Sequence, residues 1–101
     1  MIMRRPLLAE DEIVAHLARL SGWTRGGGVI SRTYSFADFA QAMAFVNLVA
    51  EAAEGVDHHP DIDIRYGKVT LALTTHDSRG LTLNDVELAA ACDGFAEGMK
   101  P

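Results

Sequence analysis

Long apolar runs are missing from this chain of 101 residues. None approaches the roughly 18 residues that a membrane-spanning helix needs, and the start of the chain lacks the apolar stretch of a signal peptide. We therefore expect a cytoplasmic protein that neither crosses nor binds a membrane.

Cysteine and positive charge are also scarce. The single cysteine, Cys92, has no second cysteine with which to form an internal disulfide or a zinc-binding pair. Nine Lys and Arg residues stand against fourteen Asp and Glu, a net charge of −5, and no basic block could follow a phosphate backbone. This composition argues against an oxidised secreted protein, a cysteine-rich metal site and direct binding to nucleic acid.

What is present is the composition of a folded domain, with 49% hydrophobic and 23% charged residues. The three prolines are isolated, and neither a repeat nor a low-complexity linker interrupts the chain. The length suffices for one hydrophobic core and not for two. The sequence therefore predicts a single domain over residues 1–101.

The spacing of the apolar residues predicts elements in the order α-β-β-α-β-β-α. The expected bounds are 9–20 for the first helix, 23–25 and 29–36 for the first hairpin, 38–54 for the second helix, 61–66 and 69–75 for the second hairpin, and a third helix opening at Thr82. Two hairpins separated by a helix favour a four-stranded antiparallel sheet with the three helices on one face. The predicted fold class is α+β.

Residues near the ends of the helices refine these bounds. The first helix lacks a hydroxyl cap before Glu10, so we expect it to fray, and we expect Gly55 to end the second helix. Thr82, with Asp85 three positions later, predicts a capping box for the third helix. Cys92 follows a row of alanines on that helix and is expected to pack in the core.

Three of the four histidines lie at the ends of the second hairpin. His58 and His59 enter its first strand, and His76 leaves its second. Because antiparallel pairing brings these ends together, the three imidazoles can share a pocket. Imidazole titrates near neutral pH, and nearby carboxylates can fix its tautomer or raise its pKa, so the cluster suits proton transfer. The carboxylates in question are Glu54, Asp57, Asp61 and Asp77.

Other interpretations of the histidines stay open at this point. The pair before Pro60 could be a solvated polar turn, and three histidines with a carboxylate could bind Zn²⁺ or Fe²⁺. Against a metal, the chain has neither a His-Glu-x-x-His helix nor a His-x-His strand pair, and neighbouring side chains of an extended chain point apart. Nucleophilic catalysis is disfavoured because no Gly-x-Ser-x-Gly elbow occurs.

The histidines belong to a longer pattern. Residues 54–60 (EGVDHHP), 74–77 (TTHD) and 80–82 (GLT) occur in this order, with Tyr66 and Asp85 at matching distances. Residues 22–23 (GW) and 36–39 (FADF) add landmarks upstream. In these segments and their spacing the chain resembles the pterin-4a-carbinolamine dehydratase family, and the resemblance covers most of the chain.

The resemblance implies a hydro-lyase that removes water from 4a-hydroxytetrahydropterin, such as 4a-hydroxytetrahydrobiopterin, to give the quinonoid dihydropterin during tetrahydropterin recycling after aromatic amino acid hydroxylation. It implies neither a cofactor nor a metal, because the pterin is the substrate. The implied catalytic residues are His58, His59 and His76: His59 and His76 are candidates for the acid and the base, in either order, and His58 is implied to be nearer to ligand positioning. The implied substrate-binding residues are Asp57, His58, His59, Pro60, Thr74, Thr75, His76 and Asp77, and the implied supporting residues are Glu54, Asp85 and Trp23.

Two of these supporting roles have alternatives. Glu54 either orients a neighbouring histidine or is a solvated residue on the last helical turn. Trp23 either covers the pterin or packs in the core. The chain also departs from the family pattern at Ile62, where an aromatic residue is common, and at Asn84, where a basic residue is common.

The resemblance further implies a homodimer or homotetramer, and an aromatic amino acid hydroxylase as a further partner. Exposed edges of a sheet are often protected by such pairing. The alternative from another class is a non-catalytic module that stabilises a hydroxylase or a transcription factor, as vertebrate relatives do for a homeodomain protein. In that case the histidines would be dispensable.

Overall fold

The alternating apolar residues form a four-stranded antiparallel sheet in the computed structural model, which describes residues 5–99. The elements are α1 (Glu10–Leu17), β1 (Thr24–Gly26), β2 (Val29–Ser35), α2 (Phe39–Val56), β3 (Asp61–Arg65), β4 (Lys68–Leu73), a 3₁₀ turn (His76–Ser78) and α3 (Leu83–Gly98). This arrangement confirms the predicted α+β fold.

The strands lie in the order β1-β2-β4-β3, so β4 is central and β3 is at an edge. Val69 pairs with Tyr34 of β2, and Leu71 pairs with Ile62 of β3. Because paired residues share a face, the apolar rows of neighbouring strands form one surface. Val69, Leu71 and Leu73 are completely buried on it.

The three helices cover this apolar face. Ile13 of α1, Phe45 and Val49 of α2, and Leu88 of α3 join the strands in one buried cluster. The opposite face carries small polar side chains, among them Thr33 on β2 and Thr70 on β4. The core therefore lies between the sheet and a single helical layer, as amphipathic elements require.

Side-chain caps set where α2 and α3 begin. The Asp38 carboxylate accepts a hydrogen bond from the backbone N–H of Gln41 at 2.8 Å. Thr82 Oγ1 accepts from the N–H of Asn84 at 3.1 Å, and Asp85 Oδ2 accepts from the N–H of Thr82 at 2.9 Å. These contacts confirm the capping box predicted at Thr82. Cys92, farther along α3, is completely buried, as predicted.

The prediction that Gly55 ends the second helix was wrong. Gly55 lies within α2, which continues to Val56. Asp57 then turns into the left-handed region, with φ 51° and ψ 45°. An aspartate tolerates this conformation better than most residues, so Asp57 ends the helix in place of a glycine.

Other predicted bounds were too long, by one residue for β2 and β3 and by more for α1 and β4. α1 ends at Leu17, and Leu20 is buried in the turn that follows, so its apolar side chain contributes to the core outside the helix. β4 ends at Leu73 and not at Thr75, because Thr75 pairs with Gly80 across a tight loop. Within residues 5–99, no helix has the length and apolar character needed to span a bilayer.

Candidate active site

The predicted site residues lie where four elements meet. α2 and β4 end at this place, and β3 and α3 begin there. Because Asp61 pairs with Ala72 in antiparallel register, the residues just before β3 are neighbours of those just after β4. His58 and His59 precede β3, and His76 follows β4. The fold thus brings all three histidines to one end of the sheet, as predicted.

His58 is held in place by a buried side chain of the protein interior. Its Nε2 lies 2.7 Å from Oδ1 of Asp85, and 11% of the His58 side chain and none of the Asp85 side chain is exposed. The backbone N–H of His58 also donates to the carbonyl of Ala53, at 3.0 Å. When Asp85 is ionised, Nε2 donates the proton of this pair and Nδ1 is the remaining nitrogen.

Asp85 is itself fixed by two threonines. Its Oδ2 accepts from the hydroxyl of Thr75 at 2.8 Å and from the backbone N–H of Thr82 at 2.9 Å. The two threonine hydroxyls are 2.8 Å apart. Because Thr75 gives its one hydroxyl proton to Asp85, Thr82 donates to Thr75. A buried chain of hydrogen bonds therefore runs from Thr82 through Thr75 and Asp85 to His58.

His59 has the opposite surroundings. Its Nε2 lies 2.5 Å from Oε2 of Glu54, with 54% of the His59 side chain and 76% of the Glu54 side chain exposed. The hydrogen bond to Glu54 raises the pKa of His59, and the charges of Glu54 and Asp57 add to the effect against a small loss of hydration. Glu54 thus favours the protonated, proton-donating form of His59.

His76 opens the 3₁₀ turn after β4 and is exposed. The turn is closed by Thr75 and Gly80, whose backbones exchange hydrogen bonds of 2.9 and 3.3 Å. Thr75 is also the residue that binds Asp85, so one short segment holds both the support of His58 and the third histidine. Asp77 lies next to His76 in the same turn and is exposed.

The remaining predicted binding residues lie around this end. Asp57 is exposed at the end of α2, and Pro60 is half-buried before β3. The Thr74 hydroxyl donates to the carbonyl of Gly28 at 2.7 Å, and the Thr75 hydroxyl is committed to Asp85. The contacts of these residues with a pterin remain predictions.

Trp23 is not part of this end of the molecule. Its ring is buried against Tyr34, with centroids 6.4 Å apart, and its Nε1 donates to Oδ1 of Asp93 at 3.0 Å. Asp93 lies two turns beyond Asp85, about 12 Å along α3. Of the two roles considered for Trp23, the structure shows the one in the core.

Sequence reasoning missed the part played by Thr82 in the site. Its hydroxyl was assigned to the helix cap alone, and it also joins the hydrogen bonds that support Asp85 and His58. The capping box was the available signal, because an Asp at its third position is directed back toward the loop. Among residues 5–99, no three His, Cys, Asp or Glu side chains form a group that could hold a metal ion.

This end of the sheet carries two kinds of histidine. His58 is rigid and keeps one ring nitrogen engaged inside the protein, whereas His59 and His76 are accessible to solvent. Groups that titrate near neutral pH and differ in their partners can donate and accept protons in one reaction. The site is therefore equipped for general acid–base chemistry.

A comparison with family models matches residues 6–95 to the model described as pterin 4 alpha carbinolamine dehydratase. A protein of Herpetosiphon aurantiacus is 52% identical over 87% of this chain and 92% of its own length. A protein of Chloroflexus aurantiacus is 53% identical over 87% of this chain and 95% of its own. Both carry the provisional name pterin-4-alpha-carbinolamine dehydratase.

Two solved structures are also similar. A crystal structure from Brucella melitensis, described as a transcriptional coactivator/pterin dehydratase, has a TM-score of 0.86 and 35% identity over 89% of this chain and 98% of that one. A pterin dehydratase-like protein identified as a RuBisCO assembly factor of the alpha-carboxysome has a TM-score of 0.63 and 23% identity, covering 73% of this chain and 86% of its own. The second likeness concerns the fold alone.

Proposed function

Since this chain belongs to the pterin-4a-carbinolamine dehydratase family, we propose that it dehydrates 4a-hydroxytetrahydropterin to the quinonoid dihydropterin. The observation that carries the proposal is the meeting of His58, His59 and His76 at one end of the sheet, two of them with carboxylate partners. In the cell this reaction would be one step of tetrahydropterin recycling after aromatic amino acid hydroxylation, and a separate reductase would have to convert the quinonoid dihydropterin to tetrahydropterin. A hydroxylase is thus the class of enzyme that would supply the substrate.

The reaction needs one proton removed and one delivered. A base takes the proton from N5, and the N–H electron pair forms the N5–C4a double bond. The C4a–O bond breaks as an acid gives its proton to the departing hydroxyl, which leaves as water. Histidine side chains supply both transfers near neutral pH, so we expect dehydration to need no metal and no added cofactor.

The surroundings of each histidine suggest how these roles divide. His59 is the proposed acid, because Glu54 raises its pKa and keeps more of it protonated. His76 is the proposed base, since it is exposed in the turn after β4, at the same end of the sheet as the other two. His58 is proposed to position the pterin through Nδ1, because its Nε2 is engaged by Asp85.

Stopped-flow absorbance with freshly prepared 4a-hydroxytetrahydropterin tests this proposal. The proteins would be wild type, His59→Ala, His76→Ala and His16→Ala, all purified with a chelator. We expect the wild type to exceed the spontaneous rate and the His59 and His76 variants to lose roughly 10²–10⁴-fold in rate. His16 lies on α1, apart from the other histidines, and its variant should retain the wild-type rate.

Two results would contradict the proposal. A wild-type rate no greater than the spontaneous one would remove the enzymatic role. Losses of less than about tenfold in both the His59 and His76 variants would remove these residues from proton transfer. If the protein purified with chelator is slow and added Zn²⁺ or Fe²⁺ restores its rate, a metal-dependent reaction would be favoured instead.

The protein is also proposed to act as a homodimer or homotetramer. β3 is an exposed edge strand, and apolar side chains of α2 and α3 such as Leu48, Val56 and Leu83 remain partly exposed. Exposed edges and apolar patches are commonly covered by subunit contacts. Size-exclusion chromatography with light scattering would measure the assembly, and a monomer at micromolar concentration would contradict this proposal.

A second candidate function is binding to a partner protein without turnover. The same exposed residues of α2 and α3 favour it, as does the description of the Brucella melitensis structure as a coactivator. The two functions separate in the histidine variants. A partner-binding module would keep its binding after His59→Ala and His76→Ala, whereas the proposed enzyme would lose its activity.

A further inference from the structure

A cavity of about 400 Å³ lies away from the histidines, between the end of β2 and the end of α3. Its lining includes Gln41 in the first turn of α2, whereas the histidines follow the last turn of that helix. Along α3, the Asp93 that lines the cavity lies about 12 Å beyond the Asp85 that binds His58. The volume falls within the range of about 300–1,000 Å³ that is usual for small-molecule sites.

The polar floor of the cavity is built around Asp93. A single oxygen, Oδ1, accepts from Trp23 Nε1 at 3.0 Å, from Arg32 at 2.8 Å and from the Tyr34 hydroxyl. Burial and the hydrogen bond to Asp93 raise the pKa of Tyr34, so this hydroxyl remains a donor. Three donors on one oxygen hold the carboxylate in a fixed orientation.

The second oxygen of Asp93 is available. Oδ2 has no hydrogen-bond partner among residues 5–99. In that range, every side-chain nitrogen or oxygen that is buried has a partner. Oδ2 must therefore be accessible, and Asp93 lines the cavity. An accessible carboxylate oxygen that lines a cavity can accept a hydrogen bond from a ligand.

Arg32 offers the complementary group. Its guanidinium lies over the Tyr34 ring, 4.5 Å from the centroid, and against Gly22, where any side chain would collide with it. One of its N–H groups donates to Asp93, and no other described residue accepts from it. The guanidinium is thus fixed in place and still has N–H donors to offer.

The remaining walls are partly polar, with Thr33, Ser35, Gln41 and Glu97 among the lining residues, and partly apolar. Phe36 is stacked on Tyr34, with centroids 6.5 Å apart and 20° between the planes. Ala96 and Met99 of the last turn of α3 and its cap also line the cavity. These walls suit a planar ring, and methionine adapts to the shape of such a ligand.

From these groups we propose a second ligand site that binds a small planar molecule carrying an amide-type edge. The donor of that edge would reach Asp93 Oδ2, its acceptor would take an N–H of Arg32, and its ring would lie against Phe36 and Met99. Asp93 and Arg32 form an ion pair, and an edge with one donor and one acceptor offers a hydrogen-bond partner to each of them.

Three probes of the same shape test the match. Benzamide has a donor and an acceptor, benzamidine two donors and benzoate two acceptors. Titration followed by ¹H–¹⁵N NMR should show benzamide shifting the amides around Asp93 and Ala96 with a Kd of about 1 mM. Benzamidine and benzoate should bind at least about tenfold more weakly, because benzamidine has no acceptor for Arg32 and benzoate has no donor for Asp93.

Variants locate the binding. Ala96→Phe fills the cavity and should abolish the benzamide shifts, whereas Ala90→Phe, on an exposed position of α3, should not. Asp93→Asn keeps one oxygen for the three donors and replaces Oδ2 by an amide N–H, so benzamide should weaken about tenfold and benzoate should gain. Circular dichroism would verify that each variant is folded.

Each contrary result overturns a defined part of the proposal. Benzamidine or benzoate binding as tightly as benzamide rejects the amide edge, and no shifts up to about 20 mM of any probe reject the site. Shifts that persist in Ala96→Phe place the binding elsewhere. The site is independent of the proposed dehydratase, because saturating benzamide and the Ala96→Phe variant should both leave the dehydration rate unchanged.

Discussion

His58 and His59 are neighbours in the chain, and each binds a carboxylate through Nε2, yet their surroundings differ completely. His58 meets Asp85 inside the protein, where the carboxylate is completely buried. His59 meets Glu54 at the surface, where both side chains are mostly exposed. The N···O distances, 2.7 and 2.5 Å, do not distinguish the pairs.

The comparison teaches that burial, more than contact distance, decides what such a pair contributes. A buried carboxylate that loses a partner leaves desolvated groups unsatisfied, so the Asp85 pair concerns stability and position. An exposed pair is screened by water and contributes little to stability, but it still shifts a proton equilibrium. The Asp85 pair thus holds His58 in place, whereas the Glu54 pair raises the pKa of His59.

Removing Asp85 should have the largest effect on stability. Asp85→Ala leaves His58, Thr75 and the N–H of Thr82 without their shared acceptor, and we expect it to lower the free energy of unfolding by about 3 kcal/mol. Urea denaturation followed by circular dichroism measures this loss. If Asp85→Ala does not fold, Asp85→Asn, which retains one acceptor, should show a smaller loss of the same sign.

Glu54→Ala is the matched change in the exposed pair. It should lower the urea midpoint much less than Asp85→Ala does, because water replaces the lost partner of His59. Equal losses in the Asp85 and Glu54 variants would contradict the distinction between the two pairs.

Thr75→Val tests the buried chain one step farther from His58. Valine keeps the shape of threonine and removes the hydroxyl that donates to Asp85 and accepts from Thr82, so we expect a loss of about 1–2 kcal/mol. Thr74→Val is its neighbour and control. The Thr74 hydroxyl donates to a loop carbonyl in a half-buried position, and its loss should cost under about 1 kcal/mol. A larger loss of stability in Thr74→Val than in Thr75→Val would show that the hydrogen-bond chain through Thr75 is unimportant.

The smallest expected effect is on a proton equilibrium. NMR titration of the imidazole should give His59 a pKa above 6.5, and Glu54→Gln should return it toward that ordinary value while the fold is unaffected. Because the folded pKa is raised, the stabilising effect of this pair is fully present below pH 6.5 and is lost as the pH rises through the raised pKa. A His59 pKa that does not respond to Glu54→Gln would contradict the assigned cause.

Local patterns predicted much of the fold and the location of the site. The alternation around Leu71 and the capping box at Thr82 are short-range signals, and both led to the observed elements. The predicted end of α2 was too early, because the helix is ended by Asp57 in the left-handed conformation and not by Gly55. That choice depends on how the following loop packs, which a local pattern does not contain.

The histidines were predicted as a cluster, but their individual surroundings were not. His58 and His59 are indistinguishable in a sequence of adjacent identical residues. Which of them turns inward depends on Asp85, which lies 27 positions away on another helix. Likewise, no pattern in the sequence singled out Asp93. It binds Trp23, Arg32 and Tyr34 because three separate segments of the chain pack together there.

By itself the sequence determined the order of helices and strands, the apolar face of the sheet and the end of the sheet at which the histidines meet, because these follow from the period of apolar residues and from antiparallel pairing. Only the tertiary structure decided which carboxylate each histidine binds and which of those carboxylates is buried. Burial and long-range hydrogen bonds depend on how α2 and α3 pack over β4, and it is burial that separates the His58–Asp85 pair from the His59–Glu54 pair.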